Sequence, residues 1–221
     1  MVELIHCHIP KTGGVSFLEI LKRIYGDDQI AFPWTWVDMV PEQGKGFNML
    51  WYKWPELYKL WQARIPEIVE KKKKVKVLQG HFPVRLFNGL YPNAKRIAWV
   101  RHPVARVISH YTHDMAKKHQ PRMSLDKYIY LPHNRNVMAF HIGHDIDNMD
   151  WIGVLETIDK DIEELAIFLG WGKIPRVPHL NKSNKKPVAE RLGKKIAELN
   201  EKDMQIYAEV LARKPGEVYY A

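Results

Sequence analysis

The sequence is poor in cysteine, with one residue, Cys7, in a chain of 221. An internal disulfide is therefore excluded. With no secretory signal visible, a reducing cytoplasm is the expected location. No apolar run approaches the length that spans a bilayer, so no transmembrane segment is predicted. Repeats and low-complexity tracts are also missing, which predicts a single domain over residues 1–221.

Acidic residues are outnumbered, since 25 Asp and Glu against 34 Lys and Arg give a net charge of +9. This excess favours an anionic partner such as a nucleotide, an acidic glycan, a nucleic acid or a membrane surface. Nucleic acid is not expected, because no nucleic-acid-binding motif is present and the aromatic residues are not interleaved with basic ones. The lysine run at 71–74 is interpreted as the solvated end of a helix.

Apolar periodicity alternates between strand and helix along the chain. Strands are predicted at 3–9, 74–79, 96–100 and 151–155. Helices are predicted at 14–25, 55–73, 103–118, 124–130, 135–142, 158–169 and 189–213, the last with a break near Asn200. Such alternation predicts an α/β fold in which helices cover both faces of a parallel sheet. Ligands in such folds bind beyond the carboxyl ends of the strands.

The most informative motif is PKTGGVSF at residues 10–17, between the first predicted strand and helix. Its two glycines let the backbone approach an anion closely, and Thr12 and Ser16 add hydroxyl donors. Lys11 adds a mobile positive charge that suits a leaving oxygen. The nucleotide P-loop G-x-x-x-x-G-K-[ST] has its lysine after the glycines, so the order found here argues against ATP chemistry.

Two further motifs follow predicted strands. Arg101 ends an apolar strand, and Ser109 lies two helical turns beyond it, so the pair could hold a phosphate. The alternative is an arginine that only caps the strand end. His81 follows the strand at 74–79, and a neutral histidine is a natural general base for a hydroxyl. A purely structural histidine is the alternative there.

Together these motifs resemble those of sulfotransferases that use 3′-phosphoadenosine 5′-phosphosulfate (PAPS), in particular the heparan/uronyl 2-O-sulfotransferase branch. Softer resemblances extend to GVLE at 153–156, to PHLNKS at 178–183 and to a helix containing Asp203 and Tyr207. The resemblance implies a P-loop-like three-layer fold and one sulfotransferase domain. It also implies transfer of a sulfuryl group from PAPS to an acceptor hydroxyl, expected on a carbohydrate, with no metal required.

The resemblance also implies residue roles. The loop would hold the 5′-phosphosulfate through Lys11, Thr12, Gly13, Gly14, Val15 and Ser16. Arg101 and Ser109 would bind the 3′-phosphate, and Lys182 is expected to contact the donor. His81 would take the proton of the acceptor hydroxyl, and Lys11 would stabilise charge on the bridging oxygen as the sulfuryl group leaves.

Three positions depart from the family pattern. Val15 replaces a hydroxyl residue, which leaves the backbone amide as its only polar contribution to the loop. His102 replaces the acidic residue that commonly follows the arginine, so the expected local ion pair is missing. Gln79 stands where the 2-O branch carries a second histidine, which leaves His81 without that neighbour.

Other functions are compatible with parts of the sequence. A P-loop-like nucleotide-dependent kinase and a non-catalytic anion-binding protein are the two alternatives. A metal site at His6-Cys7-His8 is not expected, because strand alternation points the histidines to one side and Cys7 to the other. Five of the eight tryptophans fall between residues 34 and 61. These tryptophans either pack in the core or form a lid over the acceptor. In the second case Trp34 and Trp36 are expected to contact the acceptor.

Overall fold

A computed structural model describes residues 1–32, 55–87, 89–117, 122–143, 146–172 and 188–214. The strands are β1 Leu4–Cys7, β2 Ile30–Ala31, β3 Val77–Gly80, β4 Lys95–Val100 and β5 Trp151–Val154. The helices are α1 Gly14–Tyr25, α2 Pro55–Lys72, α3 Pro103–Lys117, α4 Leu125–Tyr128, α5 Val137–Ile142, α6 Ile158–Leu169, α7 Glu190–Leu199 and α8 Glu201–Ala212.

The strands form one parallel sheet in the order β2-β3-β1-β4-β5. This confirms the predicted α/β fold with a central parallel sheet and flanking helices. Strand β2 was missed in the sequence, because two residues show no periodicity. The predicted bounds of α1 and α6 match those observed, and Asn200 separates α7 from α8 as predicted.

Alternation along β1 sorts its side chains to the two faces of the sheet. Leu4 packs in the apolar cluster that contains residues of α1 and α6, and His6 lies on the same face against Phe17. Ile5 and Cys7 belong to the cluster on the other face, which contains residues of α2, α5 and α8. The sheet is therefore covered on both faces, as its nearly continuous apolar strands require.

The order of the strands brings the predicted motifs to one edge. Strand β1 is central, with Cys7 in register with Gly80 of β3 on one side and Ala98 of β4 on the other. The later strands therefore lie on both sides of β1, with β2 and β3 on one side and β4 and β5 on the other. This makes β1 a topological switch point of the sheet. Ligands of open parallel sheets bind at such a switch point, beyond the carboxyl ends of the strands.

The structure also locates the lysine run found in the sequence. The lysine run at 71–74 lies at the exposed end of α2, as predicted. Among the described residues, none of the helices is both long and apolar enough to cross a bilayer.

Candidate active site

The loop after β1 turns back on itself within a few residues. Lys11 and Gly13 have φ angles of 71° and 87°, both in the left-handed region. The buried Thr12 hydroxyl donates to the Ile9 carbonyl at 2.9 Å, which holds the turn closed. In this arrangement the Thr12 hydroxyl is engaged within the loop, and its backbone amide is what the residue can offer to a ligand.

Helix α1 starts directly from this loop, and its N-terminus lacks a side-chain cap. The first intrahelical bond runs from Phe17 N–H to the Gly13 carbonyl at 3.1 Å. The amides of Gly14, Val15 and Ser16 therefore precede the helical hydrogen-bond pattern. Amides in this position, together with the helix dipole, can receive an anion. The Val15 side chain is exposed and adds nothing polar.

Arg101 connects the end of β4 to the same loop. Its Nη1 donates to the Lys11 carbonyl at 3.1 Å. Burial lowers the pKa of both side chains, and the charge of Arg101 further lowers the pKa of Lys11. Among the described residues, no carboxylate lies within ion-pair distance of either cation. Two partly buried cations beside a helix N-terminus favour the binding of an anion.

Glu156, at the end of β5, supplies negative charge near Arg101. Its Oε1 accepts the His102 backbone N–H at 3.1 Å, and its Oε2 accepts the Tyr207 hydroxyl at 3.4 Å. The carboxylate opposes the effect of burial on the pKa of Arg101. The His102 ring stands edge-on to Tyr207, with ring centroids 5.3 Å apart. A carboxylate from the turn after β5 thus lies near Arg101, whose own successor in the sequence, His102, is not acidic.

Ser109 lies half-buried two turns into α3. Asp114, further along the same helix, is buried and accepts the Tyr128 hydroxyl at 2.6 Å. Its charge raises the pKa of Lys11, against the larger effect of burial. Helix α3 therefore places a hydroxyl and a distant counter-charge behind the two cations.

His81, the residue after β3, is oriented by a hydrogen bond to β1. Its Nδ1–H donates to the His8 carbonyl at 2.7 Å, which leaves the Nε2 lone pair available. The ring reaches the surface, but the protein around it lowers its pKa below 6.5. A neutral imidazole with a free Nε2 is the form that a general base requires.

Three more histidines surround this position. The His8 ring lies 4.2 Å from that of His81 between centroids, His6 stacks on His8 at 5.7 Å, and His141 stands edge-on to His81 at 6.5 Å. Burial lowers the pKa of His6 to about 4 and that of His141 to about 3. All are therefore neutral near pH 7.

Gln79 has a role that its position in the sequence did not predict. Its Oε1 accepts His6 Nδ1–H at 3.0 Å, so its side chain supports a buried histidine behind the site. Cys7 is buried on the opposite face, where its thiol donates to the Phe82 carbonyl at 3.0 Å and burial raises its pKa. No group of three His, Cys, Asp or Glu side chains suited to a metal occurs in the described part of the chain.

The structure brings most of the predicted site residues to one edge of the sheet. They are Lys11, Thr12, Gly13, Gly14, Val15, Ser16, His81 and Arg101, with Ser109 on the adjoining helix. Lys182, Trp34 and Trp36 lie outside the described residues. Sequence reasoning missed His8 as a neighbour of His81, because only the parallel pairing of β1 with β3 reveals it.

Comparisons with known proteins give a consistent result. Residues 2–140, more than half of the chain, match the Sulfotransferase family. Among solved structures, the chain is similar to a sulfotransferase from Alicyclobacillus acidocaldarius. The TM-score is 0.56 and the identity 17%, over 99% of this chain and 97% of that one. At this identity the likeness shows a shared fold. The curated proteins contain no match.

Proposed function

Because this chain belongs to the sulfotransferase family, we propose that it transfers a sulfuryl group from PAPS to a hydroxyl of a carbohydrate. Family membership establishes sulfuryl transfer in general. The donor, the acceptor and the role of each residue are the proposal. The contact between Arg101 and the Lys11 carbonyl carries it, because it puts two cations without an ion-pair partner among the described residues beside the N-terminus of α1.

The two ends of the donor require different parts of this site. The 5′-phosphosulfate would lie on the amides at the start of α1, next to Lys11. The 3′-phosphate would bind Arg101, whose guanidinium can hold two phosphate oxygens, and the Ser109 hydroxyl. Glu156 would keep Arg101 oriented through the backbone of His102. Lys182 remains a proposed donor contact, for which the described residues offer no test.

The proposed transfer step uses two residues of the chain, His81 and Lys11. His81 Nε2 would accept the proton of the acceptor hydroxyl, whose oxygen forms the new bond to sulfur. The bond from sulfur to the bridging oxygen breaks, and 3′-phosphoadenosine 5′-phosphate (PAP) leaves. Lys11 would stabilise the charge that develops on that oxygen. Because the transition state is loose, positioning and electrostatics supply most of the rate, as in phosphoryl transfer.

Side chains near His81 support a carbohydrate acceptor. The exposed Arg85 donates to the Phe140 carbonyl at 3.2 Å, and its guanidinium lies 5.4 Å from the centroid of the Phe140 ring. Phe140 adjoins His141, whose ring contacts that of His81. An aromatic ring can stack on a sugar, and a cation can pair with a carboxylate or sulfate on it. An acidic carbohydrate would use both groups.

Calorimetry with the product nucleotide tests the donor assignment. We expect PAP to bind at least tenfold more tightly than ADP, about 1.4 kcal/mol, because only the 3′-phosphate uses Arg101. Arg101→Ala should remove most of this preference. Arg23→Ala, an exposed arginine on α1, is the control that should keep it. Equal affinities in the unaltered protein would overturn the donor assignment, and binding that requires Mg²⁺ would favour a kinase.

A further inference from the structure

His8 contacts His81 in two ways. Its carbonyl accepts the Nδ1–H of His81 at 2.7 Å. Its ring packs on that of His81 with the planes tilted by 32° and the centroids 4.2 Å apart. The backbone contact selects which nitrogen of His81 carries the proton. The ring contact limits the directions in which the His81 ring can turn.

The His8 ring also lies against the start of helix α1. A Cβ built on Gly14 would lie 1.8 Å from His8 Nε2, so the imidazole occupies the space of a side chain there. The φ angle of Gly14 is outside the left-handed region that requires glycine, unlike that of Gly13. The glycine at position 14 is thus required by the His8 ring rather than by its own backbone conformation.

The His8 ring acts by packing against its neighbours and not by charge or by hydrogen bonding. Burial lowers its pKa well below 6.5, and the neighbouring His81, His6, His141 and Lys11 lower it further, so the ring is neutral. Within the described residues, no hydrogen bond involves its ring nitrogens, and its ring contacts are with His6 and His81. The imidazole therefore serves as a spacer between Gly14, at the start of α1, and the His81 ring.

We propose that His8 is a positioning residue, whose ring sets the distance and orientation of His81 relative to the N-terminus of α1. This inference rests on the proposed function, in which that N-terminus holds the 5′-phosphosulfate and His81 accepts the proton. In-line transfer requires the acceptor oxygen, the sulfur and the leaving oxygen to be aligned, and His8 links the structures that hold each end.

A thermal double-mutant cycle tests the contact with Gly14. Gly14→Ala should lower Tm in the unaltered protein, because the new methyl displaces the His8 ring. In the His8→Ala background the same change should raise Tm by about 1–4 °C, because alanine has less freedom than glycine in the unfolded chain and no ring then opposes its methyl group. Gly193→Ala on α7, where a Cβ meets open space, should have the same effect in both backgrounds.

The ¹⁵N NMR signals of the His81 ring in the unliganded protein test the positioning role. We expect one tautomer, protonated at Nδ1, and a pKa below 6.5 in the unaltered protein. His8→Ala should move the pKa toward 6.5 and average the tautomers, although the His8 backbone carbonyl remains. His141, Lys11 and Arg85 also face this group of rings, and they are unchanged in the comparison.

Each outcome has a distinct meaning. An unchanged tautomer and pKa of His81 in His8→Ala would overturn the positioning role. Equal effects of Gly14→Ala on Tm in both backgrounds would overturn the spacer geometry. Neither measurement depends on donor or turnover. Failure of the proposed function would instead appear as equal affinities for PAP and ADP, or as full turnover by His81→Ala.

Discussion

His81 can accept a proton only at Nε2, because its Nδ1–H is already donated to the His8 carbonyl. The same bond keeps the ring at the carboxyl edge of the sheet, where the loop proposed to hold the donor also lies. Lys11, by contrast, would act by charge alone, and burial has already lowered its pKa. The two residues proposed as catalytic therefore depend on different properties, a free lone pair and a desolvated cation.

His81→Ala is expected to reduce turnover by roughly 10²–10⁴-fold, the usual contribution of a general base. PAP affinity should stay unchanged, because His81 does not contact the donor phosphates in the proposed arrangement. PAP release from PAPS, with free hexoses and hexuronic acids as acceptors, measures the first, and calorimetry measures the second. If turnover is retained while PAP still binds, another group is the base.

At the scale of elements, helices α5 and α8 cap each other. Asp203 on α8 accepts the backbone N–H groups of Met138 and Ala139 at 3.1 and 2.9 Å. Asn136, just before α5, accepts the N–H of Lys202 at 3.1 Å. Asp203 is fully buried, and burial raises its pKa, whereas the charge of Arg106 on α3 and the bonds from the two amides act against that rise. This reciprocal capping joins α5 to α8 behind the site.

Asp203→Ala should destabilise the protein by about 3 kcal/mol, since it leaves two buried amides without acceptors and a buried arginine without its counter-charge. Urea unfolding followed by circular dichroism gives this difference. Glu201→Gln, in the same turn but exposed, is the matched control and should change stability by less than about 0.5 kcal/mol. A similar effect of the two changes would show that the capping contributes little.

The sequence was sufficient for most elements, because long apolar periods and capping residues are local signals. Helix α1 and the break at Asn200 are examples. It was insufficient for contacts that depend on strand order. Glu156 near Arg101, Gln79 on His6 and His8 against His81 each join residues more than 50 positions apart. Such neighbours follow from the pairing of β1 with β3 and of β4 with β5, which no local pattern specifies.

For the whole molecule, the positive net charge and the buried histidines have different consequences. Part of the excess positive charge lies at the exposed end of α2, where it affects the approach of anions. The histidines His6 and His141 lie inside, one on each face of the sheet, with pKa values of about 4 and 3. Inside the fold they accept protons only at strongly acidic pH, whereas in the unfolded chain they do so near pH 6.5.

Stability should therefore fall as pH falls below 6.5, because the unfolded chain binds more protons than the native one. Well above pH 6.5 both states are neutral at these positions, so the contribution is constant there. Between pH 6 and 5 each of these two histidines should lower the free energy of unfolding by about 1.4 kcal/mol per pH unit. The free energy of urea unfolding, measured from pH 7.5 to 5, gives the slope and hence the number of protons bound on unfolding.

The variant His6→Asn tests whether one of the protons bound on unfolding binds to His6. The asparagine amide can take the place of Nδ1–H and keep the hydrogen bond to Gln79, but it does not titrate. The pH dependence of the free energy of unfolding should therefore correspond to about one proton fewer in the variant than in the unaltered protein. This holds whatever the stability of the variant at pH 7.5. An unchanged slope would mean that His6 is hydrated in the native state. That result would contradict the low pKa of His6 that its burial predicts.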